Sequence, residues 1–273
     1  MRNLERIKDC FEDLKNKKKS ALVAFVTAGD PDLATSLEVI NALPNAGVDI
    51  IELGMPFSDP MADGPVIQRS YLRALKAGNS LDKTLNLVKQ FRKNNQKTPL
   101  ILMGYYNPIL QMGIKGFIKK ARSCGVDGIL IVDLPPDSNN ELDIETRKGG
   151  IDIIRLVTPT TDKVRLNSIL KVSSGFLYYV SITGITGTKI NSLEDIKKKY
   201  MNLKASIKLP FVIGFGINTP QKAKEISSYS DGVVIGSDII QNIEKSIKNN
   251  SNISNNVINL IKKYNKAIKG AQK

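Results

Sequence analysis

The chain has 273 residues, with 41% apolar and 24% charged side chains, and carries a formal net charge of +14 without a single histidine. Lacking histidine, it cannot use Ser-His-Asp or Cys-His nucleophilic systems, so proton transfer falls to carboxylates, Lys or Tyr. Cys10 and Cys124 are distant and have no CxxC-type companions, which argues against a zinc site or disulfide framework, and no metal is expected.

The N-terminal segment MRNLERIKDCFEDLKNKKKS reads as an amphipathic helix ending in lysines, not a signal peptide, because it lacks a continuous apolar stretch. No apolar run approaches the ~18–20 residues that cross a bilayer, so no membrane association and a cytoplasmic location are expected. ALVAFVT (21–27) is the first strand-like run, followed by a helical pattern over 33–43. A strand start then recurs: AGVDIIEL (46–53), CGVDGILIVDL (124–134), GGIDIIRLV (149–157) and SDGVVIGS (230–237). Each combines a Gly suited to closing a helix, or an Asp-Gly turn, with a β-branched run. Further runs lie at 100–106, 176–182 and 209–216, giving eight in all. Most lack strict polar alternation, as strands of a parallel sheet covered on both faces do. Helical spacing marks 64–78, 81–93, 114–125 and 192–200, and Thr219-Pro220 opens another helix. An Asn-rich segment closes the chain as a final helix.

Strand and helix alternating eight times predict a (β/α)₈ TIM barrel with an additional N-terminal helix. A doubly wound open sheet is the alternative, but no GxGxxG follows the first strand. The expected organisation is one domain over 1–273: N-terminal helix 1–19, barrel 20–250, C-terminal helix and tail 251–273. Lysines occur in short separate runs on predicted helix surfaces, with no nucleic-acid-binding signature. The charge therefore reads as a solvated surface that favours anionic ligands in general, and no nucleic-acid partner is expected.

Barrel active sites form where strands end, and the segments there are rich in Gly, Pro, Asp and Thr. They are TAGDP (27–31), ELGMPFSDPMADGP (52–65), GYYNP (104–108), DLPP (133–136), TPTT (158–161), SITGITGTK (181–189), GFGINTP (214–220) and IGSDI (235–239). Gly184, Gly187, Gly214, Gly216, Gly236 and Ser237, at the last three strand ends, suit a phosphate held by backbone N–H groups and a helix N-terminus. Glu52 ends a strand among apolar neighbours that should raise its pKa, and Asp63 can reach the same cavity from the long loop. The plainer alternative makes Glu52 half of a buried ion pair with Arg155 or Lys189, and Asp63 the cap of a helix beginning at Gly64.

FVTAGDP, IELGMPFSDPMADGPVIQ, GYYNPI, GVDGILIVDLPP, LVTPTT, YYVSITGITGTK and GFGINTP, in this order from about Phe25 to Ser237, resemble the tryptophan synthase alpha chain. The resemblance implies cleavage of indole-3-glycerol phosphate to indole and glyceraldehyde 3-phosphate. By motif it makes Glu52 and Asp63 catalytic. It places Phe25, Tyr178, Thr186, Met103 and Ile129 around the substrate and Gly187, Gly216, Gly236 and Ser237 around the phosphate. It also implies docking on a beta chain in an alpha2-beta2 heterotetramer, with Asp59, Pro60, Asn107 and Pro108 near the interface. The pyridoxal phosphate is expected in that partner and no cofactor in this chain. Ile182 departs from the family pattern where a basic residue is common, and 137–150 is unusually polar, predicting a short helix. A barrel enzyme using a catalytic Lys or a His-held metal fits poorly, whereas a subunit that chiefly activates its partner stays compatible with the sequence.

Overall fold

The structure, a computed structural model, describes residues 5–136, 140–180, 192–214 and 216–271. Its strands are β1 (Ala21–Thr27), β2 (Ile50–Gly54), β3 (Leu100–Gly104), β4 (Gly128–Ile131), β5 (Asp152–Ile153), β6 (Arg155–Val157), β7 (Leu177–Val180), β8 (Phe211–Gly214) and β9 (Gly232–Ile235). All pairings are parallel, in the order β5-β4-β3-β2-β1-β9-β8-β7-β6. The two ends of that order are consecutive in the chain. The single run 149–157 is one barrel strand split at Ile154: its first half pairs with β4 and its second with β7. Beyond Ile131 the fourth strand turns away towards Pro135-Pro136, and the Arg155 guanidinium, not a ladder amide, reaches the Leu134 carbonyl at 2.7 Å.

Twelve helices are described: α1 (Arg6–Asn16), α2 (Leu33–Ala42), α3 (Pro65–Lys76), α4 (Leu81–Asn94), α5 (Tyr106–Met112), α6 (Ile114–Cys124), α7 (Asn140–Gly149), α8 (Lys163–Val172), α9 (Leu193–Lys204), α10 (Pro220–Ser227), α11 (Ser237–Lys248) and α12 (Ile253–Lys269). None is long and apolar enough to cross a membrane. Thr219 caps α10 as expected, accepting from the Lys222 amide. The polar 137–150 segment contains the ten-residue helix α7, with Glu141 and Asp143 in its first turn and Arg147 and Lys148 in its last, a charge order that complements the helix dipole. The GYYNP motif reads as a loop yet runs into α5. Pro108 falls in the first turn, where its missing N–H costs no intrahelical bond.

The repeated strand start has a structural role beyond closing helices. Gly47 and Gly125 take left-handed conformations, with φ of 101° and 91°. The Asp that follows then clamps the neighbouring strand. Asp49 Oδ2 accepts the Leu22 N–H, Asp127 Oδ2 the Leu100 N–H and Asp231 Oδ2 the Phe211 N–H, at 2.7–2.8 Å. Each satisfies a donor at a strand start and fixes register there.

Helix α1 closes the N-terminal mouth of the barrel. Arg6 pairs with Asp127 at 2.5 Å and donates to the Gln96 carbonyl, while Phe11 packs on Phe176 with ring centroids 5.6 Å apart. Ile7 and Phe11 are buried, and Ile7 reaches towards Gly128 inside the barrel. Arg92 joins Asp127 from the other side at 2.6 Å. This end is filled and ion-paired, which leaves the opposite mouth for chemistry.

Candidate active site

Side-chain direction in the barrel follows from register, because successive residues of a strand face opposite sides. Phe25 of β1 is in register with Glu52 of β2 and, through Ala24↔Ile235, lies opposite Gly236 beyond β9. The inward face one layer up holds Thr27, Gly54, Met103 and Leu130. Tyr178 and Gly214 face inward from the other side. A Cβ built on Gly214 would lie 2.2 Å from the Tyr178 hydroxyl, so only glycine permits that approach.

Ile129 is a correction. It is in register with Leu102 and Leu53, which face the helical shell, so it lies on the far side of the sheet from Glu52. The inward residue of β4 is Leu130, in register with Met103. The same rule removes one alternative for Glu52. Arg155 is in register with Leu177 on the outward face, and it pairs with Asp143 at 2.5 Å.

Glu52 is 0% exposed, and neither carboxyl oxygen has a hydrogen-bond partner among the described residues. Burial, reinforced by the charge of Asp63, pushes its pKa up from 4.5 to about 8. Asp63 is raised by burial too, but its Oδ2 accepts a 2.7 Å hydrogen bond from the Tyr105 hydroxyl, which works in the opposite direction. It does not cap the following helix: the N-cap of α3 is Gly64, which makes no side-chain bond. The Tyr105 hydroxyl also accepts from the Ala62 N–H at 3.0 Å, and the Asp63 carbonyl accepts from Gln68 at 2.8 Å. Tyr105 therefore ties the β2–α3 loop to the end of β3. It lies within GYYNP, where no local feature of the sequence singles it out. The site also includes Tyr178, whose hydroxyl is raised well above the usual range by burial and by both carboxylates.

Two ties hold α3, and with it the loop carrying Asp63, against the end of β1. The Arg73 guanidinium forms a paired contact with the buried Asp30 carboxylate, both bonds 2.8 Å, and the Thr27 and Ser70 hydroxyls meet at 2.6 Å.

On the anion side, Gly216 has a φ of 74° in the loop after β8. Gly236 is the N-cap of α11 and Ser237 its first residue, and no side chain caps that terminus. Because β8 and β9 are adjacent, these groups lie at neighbouring strand ends, with Phe25 between them and Glu52. Thr186, Gly187, Ile182, Gly184 and Lys189 lie outside the described residues. Of the expected interface positions, Asp59 and Asn107 are exposed, Pro108 is half-buried and Pro60 buried.

A parallel (β/α)₈ barrel with two buried carboxyl groups of raised pKa at the C-terminal end of its strands defines an enzyme of the acid-base barrel class. Comparison with known proteins specifies it further. The family described as Tryptophan synthase alpha chain matches residues 11–269. A tryptophan synthase alpha chain from Legionella pneumophila subsp. pneumophila is 39% identical, over 96% of this chain and 97% of that one, with a TM-score of 0.91. The alpha subunit from Legionella pneumophila str. Paris is 40% identical, covering 96% and 98%, with a TM-score of 0.92. A chain of Mycobacterium tuberculosis tryptophan synthase in its aminoacrylate-bound form is 27% identical, covering 96% and 99%, with a TM-score of 0.85. The chain belongs to the tryptophan synthase alpha chain family. Its activity is the carbon–carbon lyase reaction of that family, cleavage of indole-3-glycerol phosphate to indole and glyceraldehyde 3-phosphate in tryptophan biosynthesis.

Proposed function

We propose that Glu52 and Asp63 divide the proton chemistry of this cleavage. Glu52 starts as the neutral acid and gives its proton to indole C3. This makes the ring an indoleninium whose N–H⁺ donates to the Asp63 carboxylate. Glu52, now anionic, takes the proton of the C3′ hydroxyl as the C3–C3′ bond breaks. The bonding pair returns to the ring, the aldehyde forms, and Glu52 ends protonated as it began. The observation that carries this assignment is a fully buried carboxyl without a partner, held near pKa 8, so that both protonation states are accessible near neutral pH.

Phe25, Met103 and Leu130 form the apolar walls for the indole, with Tyr178 beside the reacting carbons. The amides at Gly216, Gly236 and Ser237, together with Gly187, take the phosphate far from the breaking bond, where binding energy serves to orient the substrate. The test is indole release from indole-3-glycerol phosphate by wild type and Glu52→Gln. The variant should lose nearly all turnover while still binding glycerol phosphate; undiminished turnover would overturn the acid-base role.

The partner is a beta chain that carries the pyridoxal phosphate, in an alpha2-beta2 assembly, and this chain acts as one cytoplasmic barrel domain. Supporting a docking face at the barrel mouth, Met61 is 81% and Leu110 51% exposed, next to Asp59, Pro60, Asn107 and Pro108 on the loops after β2 and β3. Exposed apolar side chains gathered in this way mark a surface that another protein covers.

A further inference from the structure

Tyr71 lies within α3, is 0% exposed, and its hydroxyl has no hydrogen-bond partner among the described residues. The edge of its ring passes 3.2 Å from the point where a side chain on Gly54 would begin, and Phe25 Cζ comes within 2.7 Å of the same point. Gly54 follows Glu52 by two residues on the same face of β2, so this ring lies one layer above the Glu52 carboxyl. Phe25, in register with Glu52, packs against this ring at Gly54, and among the described residues the two oxygens of Glu52 and the Tyr71 hydroxyl are all buried without a hydrogen-bond partner. A buried hydroxyl left unsatisfied destabilises the fold, and a phenylalanine would fill the same space without that cost.

We propose that Tyr71 is a positioning residue for Glu52. Its O–H dipole turns to the Glu52 carboxylate, directly or through one water, during the half of the cycle in which Glu52 is anionic. A donor already in place in a dry site stabilises charge that appears during reaction without reorganisation. The titratable groups that interact electrostatically with Glu52 are Asp63 from the loop, Tyr178 from β7 and Tyr71 from α3, with Tyr105 bonded to Asp63; β1 and β3 present apolar Phe25 and Ile101 in register with it. Tyr71 is the one hydroxyl of this set without a partner. Burial pushes it far above the usual phenol range, with Asp63, Tyr105 and Glu52 adding to the effect, so it stays protonated and able to donate.

The inference rests on the proposed role of Glu52, and the test reads Glu52 directly. In infrared pH titrations the carboxyl band of Glu52 is the one lost in Glu52→Gln. In Tyr71→Phe its midpoint should rise by roughly one pH unit, since removing a donor weakens the anion. The turnover number should fall roughly tenfold with KM within about twofold, the pattern of an interaction made after binding. An unchanged midpoint overturns the proposal even if turnover falls; full turnover in Glu52→Gln overturns the role of Glu52 instead. A wild-type measurement decides the matter if Tyr71→Phe does not fold. The Cζ resonance of labelled Tyr71 should move with the Glu52 midpoint, and a flat response across that range refutes the coupling.

Discussion

Replacing Glu52 by Gln should stabilise the fold while abolishing its chemistry. The side chain is fully buried and unpartnered, with its pKa pushed from 4.5 to about 8 by burial and by Asp63. Because the folded-state value is the higher one, the unfolded chain releases the proton first as pH rises. Relative to a neutral amide of the same shape, wild type loses stability progressively from pH 4.5 to about 8. At pH 7 about 2.5 units of that interval have been crossed, which at ~1.4 kcal/mol per unit is about 3 kcal/mol. For a chain of this size, that corresponds to a melting-point difference of roughly 5–10 °C. Thermal unfolding of both proteins from pH 4 to 9 should give curves that converge at the acid end and separate steadily towards pH 8. A gap that is constant with pH, or one that closes as pH rises, would refute the reasoning, because it would mean that the carboxyl is solvated or paired in the folded state.

Tyr105→Phe removes the bond that counteracts burial at Asp63 and frees the Ala62 amide; turnover should fall by roughly tenfold, from a bond to a charged group, with the melting point nearly unchanged. Gly214→Ala puts a methyl 2.2 Å from the Tyr178 hydroxyl, so Tyr178 must move; KM for indole-3-glycerol phosphate should rise or turnover fall at least tenfold, with circular dichroism unaltered. Asp127→Ala leaves Arg6 and Arg92 buried without their shared carboxylate, and urea unfolding should show a loss of about 3–5 kcal/mol; a loss under 1 kcal/mol would contradict the role given to this cluster.

The barrel was legible because its strands are continuous apolar runs and its helices carry regular apolar spacing, both properties of short windows. The carboxylates and the glycine corner were legible for a related reason: strand ends in a barrel converge, so a list of strand-end residues is already a list of neighbours. What escaped the sequence reading depends on pairing across the sheet. Ile129 and Leu130 are equally apolar, and only the register Met103↔Leu130 decides which faces the indole side. Tyr105 meets Asp63 across 42 positions, a contact that no local pattern announces. The split of the fifth strand likewise comes from a change of pairing partner, since no turn-forming residue separates Ile153 from Arg155 in the sequence.

The same parity rule accounts for the electrostatics of the site. A chain with 40 Lys and Arg against 26 Asp and Glu has ample cation to neutralise a buried acid, and a guanidinium beside Glu52 would hold its proton affinity below the range in which it can act as an acid at neutral pH. Arg155 is one candidate partner that the sequence offers, but its register turns it outward, where Asp143 and the Leu134 carbonyl engage it. Arg6 and Arg92 are spent at the opposite mouth on Asp127, and Arg73 outside β1 on Asp30. Among the described residues each buried arginine thus has its carboxylate away from the barrel interior. The pairs made by Asp127 lie at the opposite mouth from Glu52, and those of Arg155 and Arg73 lie outside the barrel, so none of these cations lowers the proton affinity of the buried acid.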